Sequence, residues 1–566
     1  MTRRNWIVVF TGIVLLTVSS ARAQNSNSGD IRGTVTDASG SRIPGANVTV
    51  LNNDTGVITR YVTNNDGLYD TNSILPGNYT VTFNKQGFDT VKRGPVALQV
   101  EIVTVDAQLK VGAANEVVEV NASEAPLLKT EDAQVSTTLS TVQLDNLPNS
   151  NPANGYTELL KLLPGATGVT SGNMNGGGGS NNDPQFDQAI NGTMPYFSSY
   201  LVDGGSIWLP HSANTDQGIS EAVAELNVIA TDAPAQYGGG GSVFNVILKS
   251  GGSEFHGSAY DYIQNDDLDA RSYFNSGAKA KQRYNYFGGA IGGPILKNKM
   301  FFYYNYQQLE NPNSGFGTAS EPTAAMLAGC FDPKLFGNAL TLDAAHGGTA
   351  LTSGTAADIA QCSSADPANA ANDLVIPTAD FDPVAKAIQS NYYLAGQDGN
   401  NTLSNNYKYL APGSGNLAKQ IGRLDYNITP KNRIDFSIVE KYVPNIVSTG
   451  SPDCPVNCTD ESSDGGNGQL SDVWSISTNL VNEARFSFNR EAIWFAQASL
   501  GQGIPAKIGL KFSTADVLPS INIGGTGGQG TIQPGTEALF IQNSFLAGDS
   551  LTWIKARISC TLAARC

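Results

Sequence analysis

From residue 253 onward the chain alternates between two kinds of side chain. Within 481–492, Glu483, Arg485, Ser487, Asn489 and Glu491 fall on one side of an extended backbone, and Ala484, Phe486 and Phe488 on the other. Residues 420–427 repeat the pattern, with Ile421, Arg423, Asp425 and Asn427 opposite Gly422, Leu424 and Tyr426. This period of two is that of a strand with unlike surroundings on its two faces. Residues 290–293 and 300–307, the latter containing FFYYNYQ, read as further strands. On the lipid face of a membrane strand an Arg or Lys at mid-depth costs about 2–4 kcal/mol. The charged face is therefore expected to line a watery lumen, and the aromatics of 300–307 to form an interfacial girdle. A soluble β-sandwich surface would carry more Lys and Glu.

Connection lengths add sidedness. Tight turns are expected at 296–299, 429–432 and 479–482, and long polar insertions at about 311–417 and 442–470. Transmembrane barrels join short periplasmic turns with long external loops, so both insertions are expected outside. Upstream, residues 29–111 hold about seven short strands between turn signals such as Asn64-Asn65-Asp66-Gly67, the spacing of a small β-sandwich. Asp66 fits a calcium ligand or a turn residue. Residues 142–147 and 156–163 read as short helices, 171–184 as a flexible loop, and 224–229 and 242–249 as strands flanking a glycine run, 238–241.

Composition narrows the classes. Lys and Arg number 34 against 50 Asp and Glu, a net charge of -16, which argues against nucleic acid as a partner. Only 15% of residues are charged, sparse for a soluble surface. No internal apolar run approaches the length of a spanning helix. The start differs: Arg3-Arg4, an apolar stretch at 7–18 and Ala21-Arg22-Ala23 form a signal peptide, residues 1–23, with cleavage expected before Gln24. Export permits disulfides. Cys330 with Cys362, and Cys454 with Cys458, are candidate pairs; the alternative, metal binding, lacks a histidine cluster, since His211, His256 and His346 are scattered. No catalytic motif, metal set or cofactor motif stands out. Gly176–Gly179 lacks the following Lys-Ser/Thr of a phosphate loop.

Two resemblances follow from longer motifs. Gly33–Val50, then NNDGLY and LPGNYTVTF, resemble the carboxypeptidase regulatory-like domain, a carbohydrate-binding-like fold whose name implies no peptidase activity. Leu201-Val202-Asp203-Gly204, then Tyr237-Gly238, Gly239–Gly241, an apolar strand to Lys249-Ser250-Gly251 and Phe255-His256-Gly257 resemble the end of the plug in TonB-dependent outer-membrane receptors, of the Oar-like type. The resemblance implies a plug motif at Asp203, Gly204, Tyr237, Gly238 and Gly239. It implies ligand-facing loops near Trp208 and His211, where packing within the loop would equally account for both. Glu116, Val117, Val118, Glu119 and Val120 resemble a TonB box, which would couple by strand addition; an ordinary linker strand is the other reading.

The expected architecture is mainly β. It comprises a sandwich at 29–111, a linker at 112–141, an α/β plug at 142–252, a partial transmembrane antiparallel barrel at 253–555 and an aberrant tail at 556–566. A plugged transporter barrel needs about 22 strands, and only some seven to ten candidates follow Ser253. ARISCTLAARC breaks the strand pattern, so a truncated, non-transporting receptor is expected. The expected role is that of a non-enzymatic receptor, without cofactor, in the outer membrane of a Gram-negative-type bacterium. Its partners would be membrane lipid, a TonB-type energy-coupling protein and an external ligand: a glycan, peptide or metal chelate. Two other readings stay open. One is a surface carbohydrate-binding or adhesion protein; the other is a secreted glycan-processing enzyme.

Overall fold

The computed structural model describes residues 27–112, 117–120, 135–146, 163–168, 188–192, 198–209, 221–231, 241–271, 273, 279–336, 353–392, 403–448, 456–477, 480–511, 516–521, 537–555 and 558–565. The expected signal peptide, Glu116, the helix at 156–162, the loop at 171–184, His211, Tyr237, Gly238, Gly239 and Cys454 lie outside these residues.

The N-terminal strands are β1 (Asp30–Asp37), β2 (Asn47–Asn52), β3 (Ile58–Val62), β4 (Leu68–Asp70), β5 (Gly77–Asn84), β6 (Thr90–Leu98), β7 (Ile102–Thr104) and β8 (Ala107–Leu109). They form two sheets, β4-β1-β7 with β8 also on β1, and β3-β2-β5-β6. Alternate residues point into one core: Ile31 and Val35 from β1, Val48 and Val50 from β2, Val81 and Phe83 from β5. Asn64 Oδ1 accepts from the backbone N–H groups of Asp66 and Leu68, so Asp66 serves a turn. The second sheet gains a fifth member, β9 (Val117–Val120), which runs parallel to β6.

The next domain holds β10 (Val135–Ser140), a helix at Thr141–Asn146, β11 (Ala166–Gly168), β12 (Gln188–Ile190), β13 (Ser199–Val202), β14 (Gly205–Ser206), β15 (Val223–Thr231) and β16 (Val243–Leu248). Its sheet runs β10-β15-β16-β13-β14, with β13 parallel to β16. All six residues of β16 are buried. A strand covered on both faces can be continuously apolar, which is why VFNVIL shows no alternation. Phe244 stacks on Tyr200 at 5.0 Å between ring centroids.

Gly251 then carries the chain to the wall. A Cβ there would lie 2.3 Å from the Phe302 carbonyl oxygen and 2.8 Å from that of Gly293, so only glycine lets the backbones approach this closely. The wall consists of β17 (His256–Asn265), β18 (Arg283–Leu296), β19 (Met300–Glu310), β20 (Pro312–Ala319), β21 (Cys330–Phe331), β22 (Leu374–Val375), β23 (Tyr407–Ser414), β24 (Leu417–Thr429), β25 (Asn432–Ser448), β26 (Cys458–Ser477), β27 (Leu480–Gln497), β28 (Ala538–Lys555) and β29 (Ile558–Arg565). β21 and β22 form a separate pair. Among the described residues the rest make one antiparallel sheet of 11 strands, ordered β17-β18-β19-β24-β25-β26-β27-β28-β29, with β20 and β23 attached.

Several expectations change. In β19, Phe301 and Tyr303 are buried on the inner side, while Phe302, Tyr304 and Tyr306 occupy the other face. Part of this aromatic run packs inward, so it is not a girdle as a group. The supposed insertion at 442–470 is mostly strand: β25 runs to Ser448 and β26 starts at Cys458. Its Gly, Ser and Asn residues read as loop, but pairing on both sides of β26 overrides local preference. The insertion at 311–417 likewise contains β20 and β23. The turn expected at 479–482 does not extend to 482, since β27 already starts at Leu480. The tail at 556–566 does not break the pattern throughout, because Ile558–Arg565 pairs with β28 from Lys555 to Gly548. Backbone pairing needs only an available strand edge, whatever the side chains.

Short connections (297–299, 430–431) gather at one end of the wall. The sandwich sits there. Ser253 N–H donates to the Asp54 carbonyl at 2.8 Å, Asn298 packs against Gly56, and Arg433 Nη1 donates to the Ser73 carbonyl at 3.4 Å. Val100 N–H donates to Glu225 Oε1 at 2.9 Å, tying the sandwich to the inner domain.

Candidate functional site

The site is the polar seam where the inner domain meets the inward face of the wall. It begins at a sharp turn. Asp203 adopts φ 46° and Gly204 φ 74°, reversing the chain between β13 and β14. The turn is pinned from within its own domain: Leu248 N–H donates to Asp203 Oδ1 at 2.9 Å, and Gly204 N–H to Asn245 Oδ1 at 3.2 Å.

The wall then grips it. Arg423, inward-facing on β24, donates through Nη1 to Asp203 Oδ1 and to the Leu248 carbonyl, each at 2.8 Å. Its other nitrogens fork onto Asp425, with Nη2 2.9 Å from Oδ1. Asp425 Oδ2 in turn accepts from Ser250 Oγ at 2.5 Å. Asp203, Arg423 and Asp425 are all at most 4% exposed. One cation between two carboxylates, held by a planar guanidinium, is the arrangement that makes a buried charge tolerable.

Three further wall residues hold the same turn through its backbone. Gln469 Nε2 donates to the Asp203 carbonyl at 2.8 Å, Arg485 Nη1 to that of Gly204 at 2.7 Å and Asn489 Nδ2 to that of Ser206 at 2.7 Å. Gly205 makes room, since a Cβ there would lie 2.4 Å from Gln469 Oε1. Lower on the wall, Arg485 pairs with Glu483, and Asn27 bridges Asp435 to Arg485 at 3.2 Å on each side. Lys441 pairs with Glu491 at 3.3 Å.

The alternation identified Arg423, Asp425, Arg485 and Asn489 as lumen-facing, and all four meet the inner domain. It did not reveal that their partners are Asp203, Gly204, Ser206 and Ser250. Gln469 was hidden in the misread insertion. Trp208 is 40% exposed between buried Ile207 and Leu209, and its N–H donates to Ser206 Oγ at 3.4 Å. It thus sits two residues beyond the gripped turn. Val117, Val118, Glu119 and Val120 lie apart, on the sandwich edge. Cys330 and Cys362 form a disulfide with 5.8 Å between Cα atoms, and Cys458 is also disulfide-bonded. Phe255-His256-Gly257 opens β17, with Phe255 edge-on to Phe302 at 6.3 Å.

The outer membrane beta barrel domain family matches residues 247–560. The chain belongs to this family. The carboxypeptidase regulatory-like domain family matches residues 30–110. Among curated proteins, the chain is similar to the TonB-dependent transporter Oar of Myxococcus xanthus, with 28% identity over 319 residues, 53% of this chain and 28% of that protein. It is also similar to the ferric enterobactin receptor of Pseudomonas aeruginosa, with 25% identity over 188 residues, 31% of this chain and 23% of that one. The matched segments thus span about a quarter of each curated relative. Among solved structures, the siderophore receptor PirA of Acinetobacter baumannii superposes with 15% identity and TM-score 0.40, over 76% of this chain and 46% of that one. A point mutant of the ferric enterobactin receptor of Pseudomonas aeruginosa, solved in complex with enterobactin, gives 13% identity and TM-score 0.40, over 77% of this chain and 49% of that one. Membership of the barrel family places the protein in the outer membrane of a Gram-negative bacterium. Its curated relatives are a transporter and a receptor, not enzymes. The sandwich contacts the short-turn end of the wall, and the 311–417 segment, which contributes β20 and β23, joins β19 to β24 at the opposite end.

Proposed function

We propose that the protein is a TonB-dependent outer-membrane receptor that takes up an external ligand. The observation that carries this is the buried Asp203–Arg423–Asp425 seam, which fastens an inner domain to a barrel wall through ions and hydrogen bonds. A plug sealed only by apolar packing would be a permanent core. A polar seam can exchange its partners for water once it is pulled open, because water replaces each lost hydrogen bond. Residues 117–120 would pass the pull, by strand addition between this segment and the periplasmic coupling protein. The inner domain would begin at β10 and not at 142, and so occupy 135–252, because β10 pairs with β15, and the wall would run from 253 through β29 to 565. Trp208, just past the gripped turn, would sense ligand. A similar protein is a ferric enterobactin receptor, so a ferric chelate is the first ligand to test, ahead of peptides and glycans.

The adhesin reading is disfavoured by position. The sandwich contacts the short-turn end of the wall at Asp54, Gly56 and Ser73, away from the external insertion. The test is accumulation of ferric chelates, oligopeptides and oligosaccharides by cells with and without the protein, each with and without TonB. Uptake that needs both supports the proposal. Ligand capture that is indifferent to TonB would mark a surface binder instead.

A further inference from the structure

The sandwich reaches further into the wall than a tethered domain needs to. Three of its connections meet at one tip: residues 27–29 before β1, 71–74 after β4 and 99–101 between β6 and β7. Gly29 lets them converge, since a Cβ there would lie 2.2 Å from the Gln99 carbonyl oxygen. Gly29 and Ile74 exchange backbone hydrogen bonds of 2.9 Å, and the Ser28 and Ser73 hydroxyls lie 2.7 Å apart. Asn72 and Ser73 take φ of 51° and 69°, a conformation that side-chain-bearing residues keep only where their surroundings hold it. Here the Asp70 carboxylate accepts from Asn72 N–H at 2.8 Å, and that of Asp30 from Ser73 N–H at 2.5 Å. Asn27 is fully buried, and Asn72 and Ser73 are at most 6% exposed. Polar groups taken out of water need partners, and this tip finds them outside its own domain.

Those partners lie on the wall and on the plug. The Ser73 carbonyl accepts from Arg433 Nη1 at 3.4 Å. Asn27 lies between two inward-facing wall residues, donating to Asp435 Oδ2 and accepting from Arg485 Nη2, each at 3.2 Å. Arg485 is the shared residue, because its Nη1 holds the Gly204 carbonyl of the plug turn at 2.7 Å. A guanidinium is planar and rigid, so a partner at one of its ends helps aim the other. Val100 N–H meets Glu225 of β15, which is 3% exposed, at 2.9 Å. β9 adds one more link. Its parallel register on β6, Val117 beside Thr90 through Val120 beside Arg93, seats the candidate coupling strand on the sandwich rather than on the plug.

We propose that the sandwich is the gate of the plug: docked, it aims Arg485 at the plug turn through Asn27 and obstructs the short-turn end of the wall, so it must undock before the plug can move. The direction of movement rests on the receptor reading, in which the pull arrives at the short-turn end. β9 then delivers that pull to the gate first. The contacts that hold the tip are hydrogen bonds, which water replaces as they part, so the gate can open and close again.

The test has two arms, both on the purified full chain in detergent. In the first, amide hydrogen exchange compares the wild type with Asn27→Ala. Exchange is expected to quicken about tenfold at Val100 and Ser253, whose N–H groups cross the interface, and at Gly204 in the plug turn, as loss of one hydrogen bond to a charged group allows. β2 and β5 inside the sandwich should stay protected. Unchanged exchange at Gly204 would overturn the proposal. The second arm locks the gate with Gly56→Cys and Asn298→Cys, since a Cβ on Gly56 lies 3.7 Å from Asn298 Cγ. Oxidation should move urea release of the plug, read by Trp208 fluorescence, to higher denaturant, and reduction should return it. Should that pair fail to assemble, Asp54→Cys with Ser253→Cys locks the same face, where the two backbones are joined at 2.8 Å. A locked protein that releases its plug at the wild-type midpoint would equally overturn the gate. Neither arm measures uptake, so failure here is distinct from failure of the receptor reading, which TonB-dependent accumulation decides.

Discussion

Arg423 sets the terms at the scale of single residues. Removing it by Arg423→Met would leave Asp203 and Asp425 buried without their cation, a loss of about 3–5 kcal/mol for breaking one side of a buried pair. Urea release of the plug, followed by Trp208 fluorescence, should shift to lower denaturant. An unchanged midpoint would show that the seam does not fasten the plug. Asp70 offers a second case, in the sandwich. Burial first, then the neighbouring Asp30, raise its carboxyl to about 7, against the Asn72 N–H and Arg32. Because the folded value exceeds the ordinary 3.8, folding takes up a proton between the two. The sandwich should be least stable above about pH 7 and gain stability as pH falls through it. A melting series from about pH 8 to about pH 5 should show this rise in the wild type and a flat line for Asp70→Asn. Sequence disclosed the two sides of β24 and β27, because charge alternation is a local signal. It could not disclose that Arg423 meets Asp203, since 220 residues separate them.

Elements show why local reading stops where it does. β27 was legible because Phe486 and Phe488 alternate with Glu483, Ser487 and Asn489. β26 was not: its centre, Ser462 to Gln469, carries small and polar residues on both faces. A Cβ on Gly466 would lie 2.1 Å from the Val439 carbonyl, so the strand fits only because side chains are missing where backbones meet. Composition reported this as loop; only the neighbouring strands make it a wall. β9 is legible as a short β-prone stretch, but its parallel seat on β6, Val118 beside Val91, depends on a sheet that forms elsewhere. If β9 passes the pull, deleting 117–120 should abolish uptake and spare ligand binding, measured separately on cells and on purified protein. Unchanged uptake would return this strand to a plain linker. Gly205 makes a related point about β14. Gly205→Leu would collide with Gln469 and should lower the urea midpoint of the plug, with the wall's heat-modifiable mobility on gels unaltered.

At the scale of the molecule the two ends of the wall differ, and the difference orders everything attached to it. The hairpin turn at 297–299 touches the sandwich through Asn298, whereas the opposite end carries the disulfide-clamped insertion. The sandwich, the candidate coupling strand β9 and the lower seam therefore share one side, and the Cys330–Cys362 disulfide lies on the other. This polarity would suit the proposed receptor: force would enter at the end where β9 sits, and ligand would arrive at the end with the broad loops. It also yields a direct check on living cells. Gly354 is exposed in the insertion and Asn298 is exposed in the short turn. A short epitope placed after Gly354 should be stained by antibody on intact cells, while one placed after Asn298 should be stained only once the outer membrane is permeabilised. The reverse staining would invert the molecule and, with it, the coupling role of β9.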